Sequence, residues 1–172
     1  SVDGVRTALL HSAQQDGTRI VLVTSSADRE GRTTLASQLA ASLARAGKRT
    51  LLIDADLRSP TIHRLFELPL DPGVCEVLRG EVDLDDVIRP TRAAGLWMIS
   101  AGQCCQESVQ LLAHDAVRQI FERLRPDFDF IVIDGCPVLE LPDSVLIGQH
   151  ADAVILSVMR DVSQLPKVYE AA

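Results

Sequence analysis

The run Thr24-Ser25-Ser26-Ala27-Asp28-Arg29-Glu30-Gly31-Arg32-Thr33-Thr34 lies between an apolar stretch and a helical pattern. Phosphate-binding loops of the form G-x-x-x-x-G-K-[ST] occupy such a strand–loop–helix setting, because successive backbone N–H groups and a helix N-terminus cradle an anion. On that template Ser26 stands at the first glycine, Gly31 at the second, Arg32 at the lysine and Thr33 at the Mg²⁺-binding hydroxyl. The candidate nucleotide cradle is therefore Ser26, Ala27, Asp28, Arg29, Glu30, Gly31, Arg32, Thr33 and Thr34. Taken alone, the loop reads more simply as a polar turn in which Thr33 or Thr34 caps a helix.

Two further strand ends carry acids. Leu51-Leu52-Ile53-Asp54-Ala55-Asp56 sets carboxylates at i and i+2 just past a buried strand, where both can face a crevice that holds phosphates. Mg²⁺ keeps several waters and takes one or two carboxylates, so such a pair suits direct or water-mediated contact. Phe130-Ile131-Val132-Ile133-Asp134 closes another apolar strand with an acid placed to meet the metal or its water. Each acid alone could serve an ordinary turn. In this order, each on its own strand end, the three features describe a Mg²⁺–nucleotide site, with Thr33, Asp54 and Asp134 as metal candidates. A dinucleotide site would need G-x-G-x-x-G, and Gly31 is the only glycine between Gly17 and Gly47.

The elements that must position these residues alternate along the chain. Val2, Val5 and Leu9 recur at helical spacing; Ile20–Val23 is a strand-length apolar run; Leu35, Leu39 and Leu43 mark a helix over Thr33–Ala46 closed by Gly47. Leu51–Ile53, Leu96–Ile99, Phe128–Ile133 and Ala153–Met159 read as further strands. Ser108–Leu124 reads as one amphipathic helix and Ser144–Gln149 as a short one, while 58–92 is rich in proline and charge, with two or three short helices such as Val74–Arg79. Strands apolar throughout, separated by helices, predict an α/β fold: a doubly wound, mainly parallel sheet with helices on both faces. Its crevice lies at the carboxyl ends of the strands, after Val23, Ile53 and Ile133.

The composition fits one globular domain over residues 1–172, with 47% hydrophobic and 24% charged residues. Its net charge of −7 lacks the electrostatic footprint of a duplex-DNA or membrane-surface binder. At 3% aromatics it lacks stacking platforms for single strands, so no nucleic-acid partner is expected. Four cysteines without Cys-x-x-Cys spacing suggest a reducing, cytoplasmic setting. No signal peptide or membrane-spanning run is visible. A start at Ser1 and a stop at Ala172 inside a helix-like stretch point to a domain excised from a longer chain.

The segments 21–46, Leu52–Arg58 with His63 and Phe66, Phe128–Pro137 and Ala151–Val158 together resemble the cytoplasmic domain of the bacterial tyrosine kinases of capsular and exopolysaccharide export, P-loop NTPases related to the MinD/ParA ATPases. The resemblance covers almost the whole chain, and Leu52–Arg58 is its most diagnostic part. It implies ATP or ADP with Mg²⁺ as cofactors and phosphorylation of a tyrosine cluster on a neighbouring subunit of a homo-oligomer. It also implies a membrane chain-length-determinant (polysaccharide co-polymerase) domain or protein as partner, and a cytoplasmic place tethered at the inner membrane. By the same resemblance Arg32, Asp54 and Asp56 would be catalytic, with Asp54 and Asp56 serving the metal and the incoming hydroxyl. Asp3 and Arg6 match the family's oligomerisation motif, in which Leu9 replaces a second arginine.

Four departures from the family bear on activity. Arg32 replaces lysine, Asp28-Arg29 replaces Pro-Gly, Cys136-Pro137 replaces Pro-Pro, and Tyr169 is the only tyrosine, expected to pack a helix. Arginine's planar fork cannot simply replace a compact ammonium between phosphates. The expected function is thus an ATP–Mg²⁺-binding autokinase domain of reduced activity. A regulatory module acting through subunit contacts is the alternative, and a MinD/ParA-like switch ATPase is disfavoured because that group's extra loop lysine is absent at Ala27 and Asp28. His11, His63, His114 and His150 show no metal spacing. Arg58 and Arg160 are possible phosphate or subunit contacts, Cys136 reads as a small buried thiol, and nothing nearby in sequence marks Cys104-Cys105 as a redox pair.

Overall fold

The computed structural model describes residues 1–159 and 165–172. In chain order, α1 (Val2–Asp16), β1 (Ile20–Ser25), α2 (Arg32–Arg45) and β2 (Thr50–Asp54) form the first half of the domain. Three short helices follow, α3 (Ile62–Leu65), α4 (Val74–Leu78) and α5 (Leu84–Val87), then β3 (Arg89–Pro90) and β4 (Leu96–Ile99). The chain continues through α6 (Gln106–Leu111), α7 (Ala116–Leu124), β5 (Phe130–Asp134), α8 (Asp143–Gly148), β6 (Ala153–Ser157) and α9 (Leu165–Ala171).

The strands form one sheet in the order β3-β4-β2-β5-β1-β6. All neighbours are parallel except β3 and β4. Alternation along each strand divides the core into two layers. Ile20, Leu22, Leu51, Ile53, Ile131 and Ile133 face α4, α7 and α8 on one side. Val21, Val23, Leu52, Met98 and Val132 face Leu9 of α1 and Ala36, Leu39 and Leu43 of α2 on the other. Because β5 lies between β1 and β2, the three strands expected to be neighbours are adjacent, and their carboxyl ends meet at one edge.

Three expectations need correction, and one strand was not foreseen. The segment read as one helix over Ser108–Leu124 is two helices, with turns closing at Ala113 and His114. Leu112 and Val117 are both buried, yet on a continuous helix five residues at 100° would set them about 140° apart. The break lets both reach the core. β3 was not legible because a two-residue antiparallel edge strand containing proline has no period. The outer strand β6 is not buried throughout: among the described residues it pairs only with β1, and Val154 stays 56% exposed. Tyr169 does not pack, being 80% exposed. Among the described side chains of α9 only Val168 and Ala171, three apart, are partly covered, so Tyr169 lies off that stripe.

Asp3 and Arg6 form an ion pair at 3.3 Å within α1, while Arg6 also donates to Ser42 of α2 at 2.9 Å and Leu9 is buried. No helix of the described residues is long and apolar enough to cross a membrane. The contrast between the covered and open sheet faces gives a direct test. Leu39→Ala, in the fully buried α2 layer, should cost about 2–5 kcal/mol in denaturant unfolding, whereas Val154→Thr on β6 should stay within about 0.5 kcal/mol.

Candidate phosphate-binding site

The register of β2 and β5 places Asp54 directly beside Asp134. Both acids are fully buried. In the first turn of α2, Thr33 Oγ1 donates to Asp134 Oδ2 at 2.7 Å. The other oxygen, Asp134 Oδ1, is buried with no hydrogen-bond partner among the described residues. A buried acceptor left unpaired is costly and marks a place for a donor or a cation. A hydroxyl and a carboxylate are hard oxygen donors of the kind Mg²⁺ takes, with waters and phosphate oxygens completing its shell. These residues fit that ion, although no group of three or more His, Cys, Asp or Glu side chains forms a metal cage among the described residues.

Asp54 and Asp56 do not both turn to the crevice as their spacing suggested. Asp54 Oδ2 accepts from the Ile62 N–H at the start of α3, at 3.1 Å, and its Oδ1 accepts from the Asp56 N–H at 3.3 Å. Burial pushes the Asp54 carboxyl up to about 7, and the neighbouring Asp134 charge adds to the shift, against the two N–H bonds. Burial likewise pushes Asp134 up to about 7, against the Thr33 hydroxyl and the Arg32 charge. Asp56 faces the loop instead, with one oxygen on the Ser59 N–H and the other on Arg32.

Arg32 is the side chain that joins the site together. Its Nη2 meets Asp56 Oδ2 at 2.7 Å with both side chains buried. Its Nε donates to the Gly135 carbonyl at 2.8 Å, and its Nη1 reaches Asp28 Oδ1 at 3.3 Å and Ser25 Oγ at 3.5 Å. Burial works against the charge, but the Asp56, Asp134 and Asp28 carboxylates together outweigh it and hold the guanidinium above its ordinary basicity. Gly135 has no room for a side chain: a Cβ there would come within 2.5 Å of Ser144 Oγ and 2.8 Å of Leu22 Cδ1.

The loop is braced from inside. The Glu30 carboxylate accepts from Ser26 Oγ at 2.8 and 2.9 Å and from the Ala27 N–H at 2.9 Å, while the Glu30 carbonyl accepts from Ser157 Oγ at 2.5 Å. The Asp28 N–H donates to Glu140 at 3.1 Å. Gly31 has φ 74°, and Arg29 takes φ 62°, a left-handed conformation that a glycine would hold without strain. Asp28, Arg29, Gly31, Arg32, Thr33 and Thr34, with Asp56, Ser59, Thr61 and Met159, line an open cleft of about 380 Å³.

Other candidates lie elsewhere. Arg58 pairs with the fully buried Asp143 at the start of α8, at 3.3 Å. Arg160 lies outside the described residues. Cys136 is buried beside Ser144, 3.3 Å from its hydroxyl. Sequence reasoning missed Asp143, for which no local signal exists. It also missed the internal role of Glu30, for which the four-residue spacing from Ser26 was the available sign.

Residues 18–165 match the AAA domain family. The tyrosine-protein kinase ptk of Acinetobacter johnsonii is 33% identical over 150 residues, covering 87% of this chain; the chain spans only about a fifth (20%) of that relative's length. The solved kinase domain of the Escherichia coli tyrosine kinase ETK superposes with a TM-score of 0.94 at 28% identity, over 99% of this chain and 67% of that one. The septum site-determining protein MinD of Pyrococcus horikoshii, solved with Mg-ADP, matches with a TM-score of 0.76 at 21% identity, covering 89% of this chain and 63% of that one, a likeness of fold.

Two measurements test the electrostatics. Between pH 4 and 7 folded Asp134 keeps a proton that the unfolded chain has lost, so this acid makes stability fall as pH rises through that window. Asp134→Asn should therefore be more stable than wild type at pH 8, with the gain shrinking toward pH 5 in thermal melts. Removing one partner of the buried ion pair, as Arg32→Met or Asp56→Ala, should cost about 3–5 kcal/mol. The double variant should cost clearly less than the sum of the two.

Proposed function

The chain belongs to the AAA domain family, in its bacterial tyrosine-kinase branch, and from that premise we propose that it is an ATP–Mg²⁺-binding kinase domain of capsule or exopolysaccharide machinery, slowed by its own loop. The observation that carries the reading is the Thr33 hydroxyl on Asp134, whose second oxygen is buried and unpaired, beside Asp54 and next to a loop with the phosphate-cradle order. In this reading Thr33 and Asp134 hold the metal and the N–H groups of residues 30–34 hold phosphate oxygens. Bound magnesium would neutralise charge on the β- and γ-phosphates. Asp54 shapes the floor by holding Asp56 and the start of α3, and Asp56, which lines the cleft, is the carboxylate for an incoming tyrosine hydroxyl.

The slowing comes from Arg32. A loop cation speeds phosphoryl transfer by following oxygens as charge develops on them. All three Arg32 nitrogens are already engaged by Gly135, Asp56, Asp28 and Ser25. The same pair neutralises Asp56, so the cation and the carboxylate are withheld together. By the resemblance of its sequence, the reading places the domain in a homo-oligomer at the cytoplasmic side of the inner membrane, tethered by a chain-length-determinant partner or a further segment.

ATP–Mg²⁺ titration calorimetry and phosphate release test this. Wild type should bind weakly with slow or no turnover, and Arg32→Lys alone should recover little. Adding Arg29→Gly, which relieves about 1–2 kcal/mol of left-handed strain, and Asp28→Pro should tighten binding by about tenfold or more. Micromolar wild-type affinity with steady turnover would sink the slowed-loop reading and leave an ordinary kinase. No binding by any variant would favour a module that acts through subunit contacts alone.

A further inference from the structure

Three of the four cysteines, Cys75 and the consecutive Cys104 and Cys105, lie near one another in space. Cys75 sits fully buried in the first turn of α4. The start of α4 is stitched to the segment after β4 by Val74 N–H to the Ser100 carbonyl and Cys75 N–H to the Ala101 carbonyl, each at 2.9 Å. That segment leads to Cys104 and Cys105, both exposed. The Cys104 thiol contacts the Cys105 carbonyl at 3.8 Å and lies near enough to the Cys75 thiol for each to alter the other's basicity. The buried Ser108 hydroxyl contacts Cys75 and lies 3.4 Å from Cys105 Sγ. Arg79 Nη1 closes the group, 2.6 Å from Ser108 Oγ and 3.6 Å from Cys105 Sγ. Its own position is fixed by Glu76, Glu81 and the Gln103 carbonyl. An exposed thiol beside a fixed guanidinium and a hydroxyl, next to a second exposed thiol and near a buried third, is the arrangement of a redox site rather than of core packing.

We propose that Cys105, Cys104 and Cys75 form a hydroperoxide-responsive thiol relay that ends in a Cys75–Cys104 disulfide joining α4 to the segment after β4. The Cys105 thiolate attacks hydrogen peroxide; the O–O bond breaks, and Cys105 sulfenic acid forms with hydroxide, which takes a proton from solvent to become water. The Cys104 thiol then attacks the Cys105 sulfur, and a second water leaves with the Cys104 proton, giving a Cys104–Cys105 disulfide. Cys75 attacks Cys104 Sγ and expels Cys105 as thiolate, its own proton passing to solvent. One peroxide is reduced to two waters, and two thiols are oxidised to one disulfide.

The order follows from the surroundings. The Ser108 hydroxyl, the Ser108 and Glu107 N–H groups and the Arg79 charge lower the Cys105 thiol below its ordinary value. Burial raises Cys104 and pushes Cys75 up to about 12. Cys105 is thus both the first thiol to react with peroxide and the best leaving group in the last exchange. A disulfide between adjacent residues closes a strained ring, which favours its transfer to Cys75.

The experiment is peroxide titration of the protein, thiol alkylation and peptide mapping by mass spectrometry. Wild type should yield a Cys75–Cys104 cross-linked peptide while Cys105 and Cys136 remain alkylatable. Cys105→Ser, a change at an exposed position, should slow the cross-link by about tenfold or more. Cys104→Ser should leave a Cys105 sulfenic acid that a cyclic 1,3-diketone traps. The relay is overturned if Cys105→Ser forms the cross-link at the wild-type rate, or if peroxide takes wild-type Cys105 to the sulfinic acid while Cys75 stays fully alkylatable.

Discussion

The Arg32 guanidinium and the Asp56 carboxylate, 2.7 Å apart and out of water, hold the strand ends of this domain in one arrangement. Taking two charges into the interior is unfavourable unless geometry and further hydrogen bonds compensate. Here they do. Arg32 begins α2, Asp56 follows β2, Gly135 follows β5, and Asp28 and Ser25 belong to β1 and its loop. One side chain therefore fixes the loop to two strand ends at once, and the bareness of Gly135 is what lets its carbonyl come within reach. The same side chain that makes the site rigid has each of its nitrogens engaged by the protein itself.

Beneath that pair lies the opposite situation. Asp54 and Asp134 are brought side by side by the insertion of β5 between β1 and β2, and among the described residues neither has a cation partnered to it at hydrogen-bond distance. Asp54 spends its oxygens on N–H groups at the start of the next loop, whereas Asp134 keeps one oxygen unspent. A sheet of this topology gathers strand-end acids whether or not they are used, and two buried like charges are tolerable only where a proton or a cation can enter. The difference between an acid engaged by backbone N–H groups and one with an open oxygen is thus written in their bonds rather than in their positions.

The parts legible in the sequence were those fixed by local periodicity. Ile20–Val23, Leu51–Ile53 and the leucines of α2 announce a parallel sheet and its covering helix, and the acids that end β2 and β5 follow from where those strands stop. What stayed hidden was set by tertiary contact. The break between α6 and α7 exists because Leu112 and Val117 both reach the core. Arg58 finds a buried Asp143 that lies far along the chain. Cys75 comes near Cys104 only because α4 docks on the segment after β4. Even the division of labour between Asp54 and Asp56 depends on the path of the chain into α3, which carries no repeating pattern.

Ser157 ends β6 with its hydroxyl on the carbonyl of Glu30, in the middle of the phosphate loop. Through that bond the outermost parallel strand carries one rim of the loop, while Gly135 after β5 carries the other through Arg32. The loop is suspended between two neighbours of β1 like a strap with a buckle at each end. Any force that tilts the outer edge of the sheet reaches the phosphate cradle in a single hydrogen bond, so an event at the domain's margin is mechanically a near neighbour of its centre.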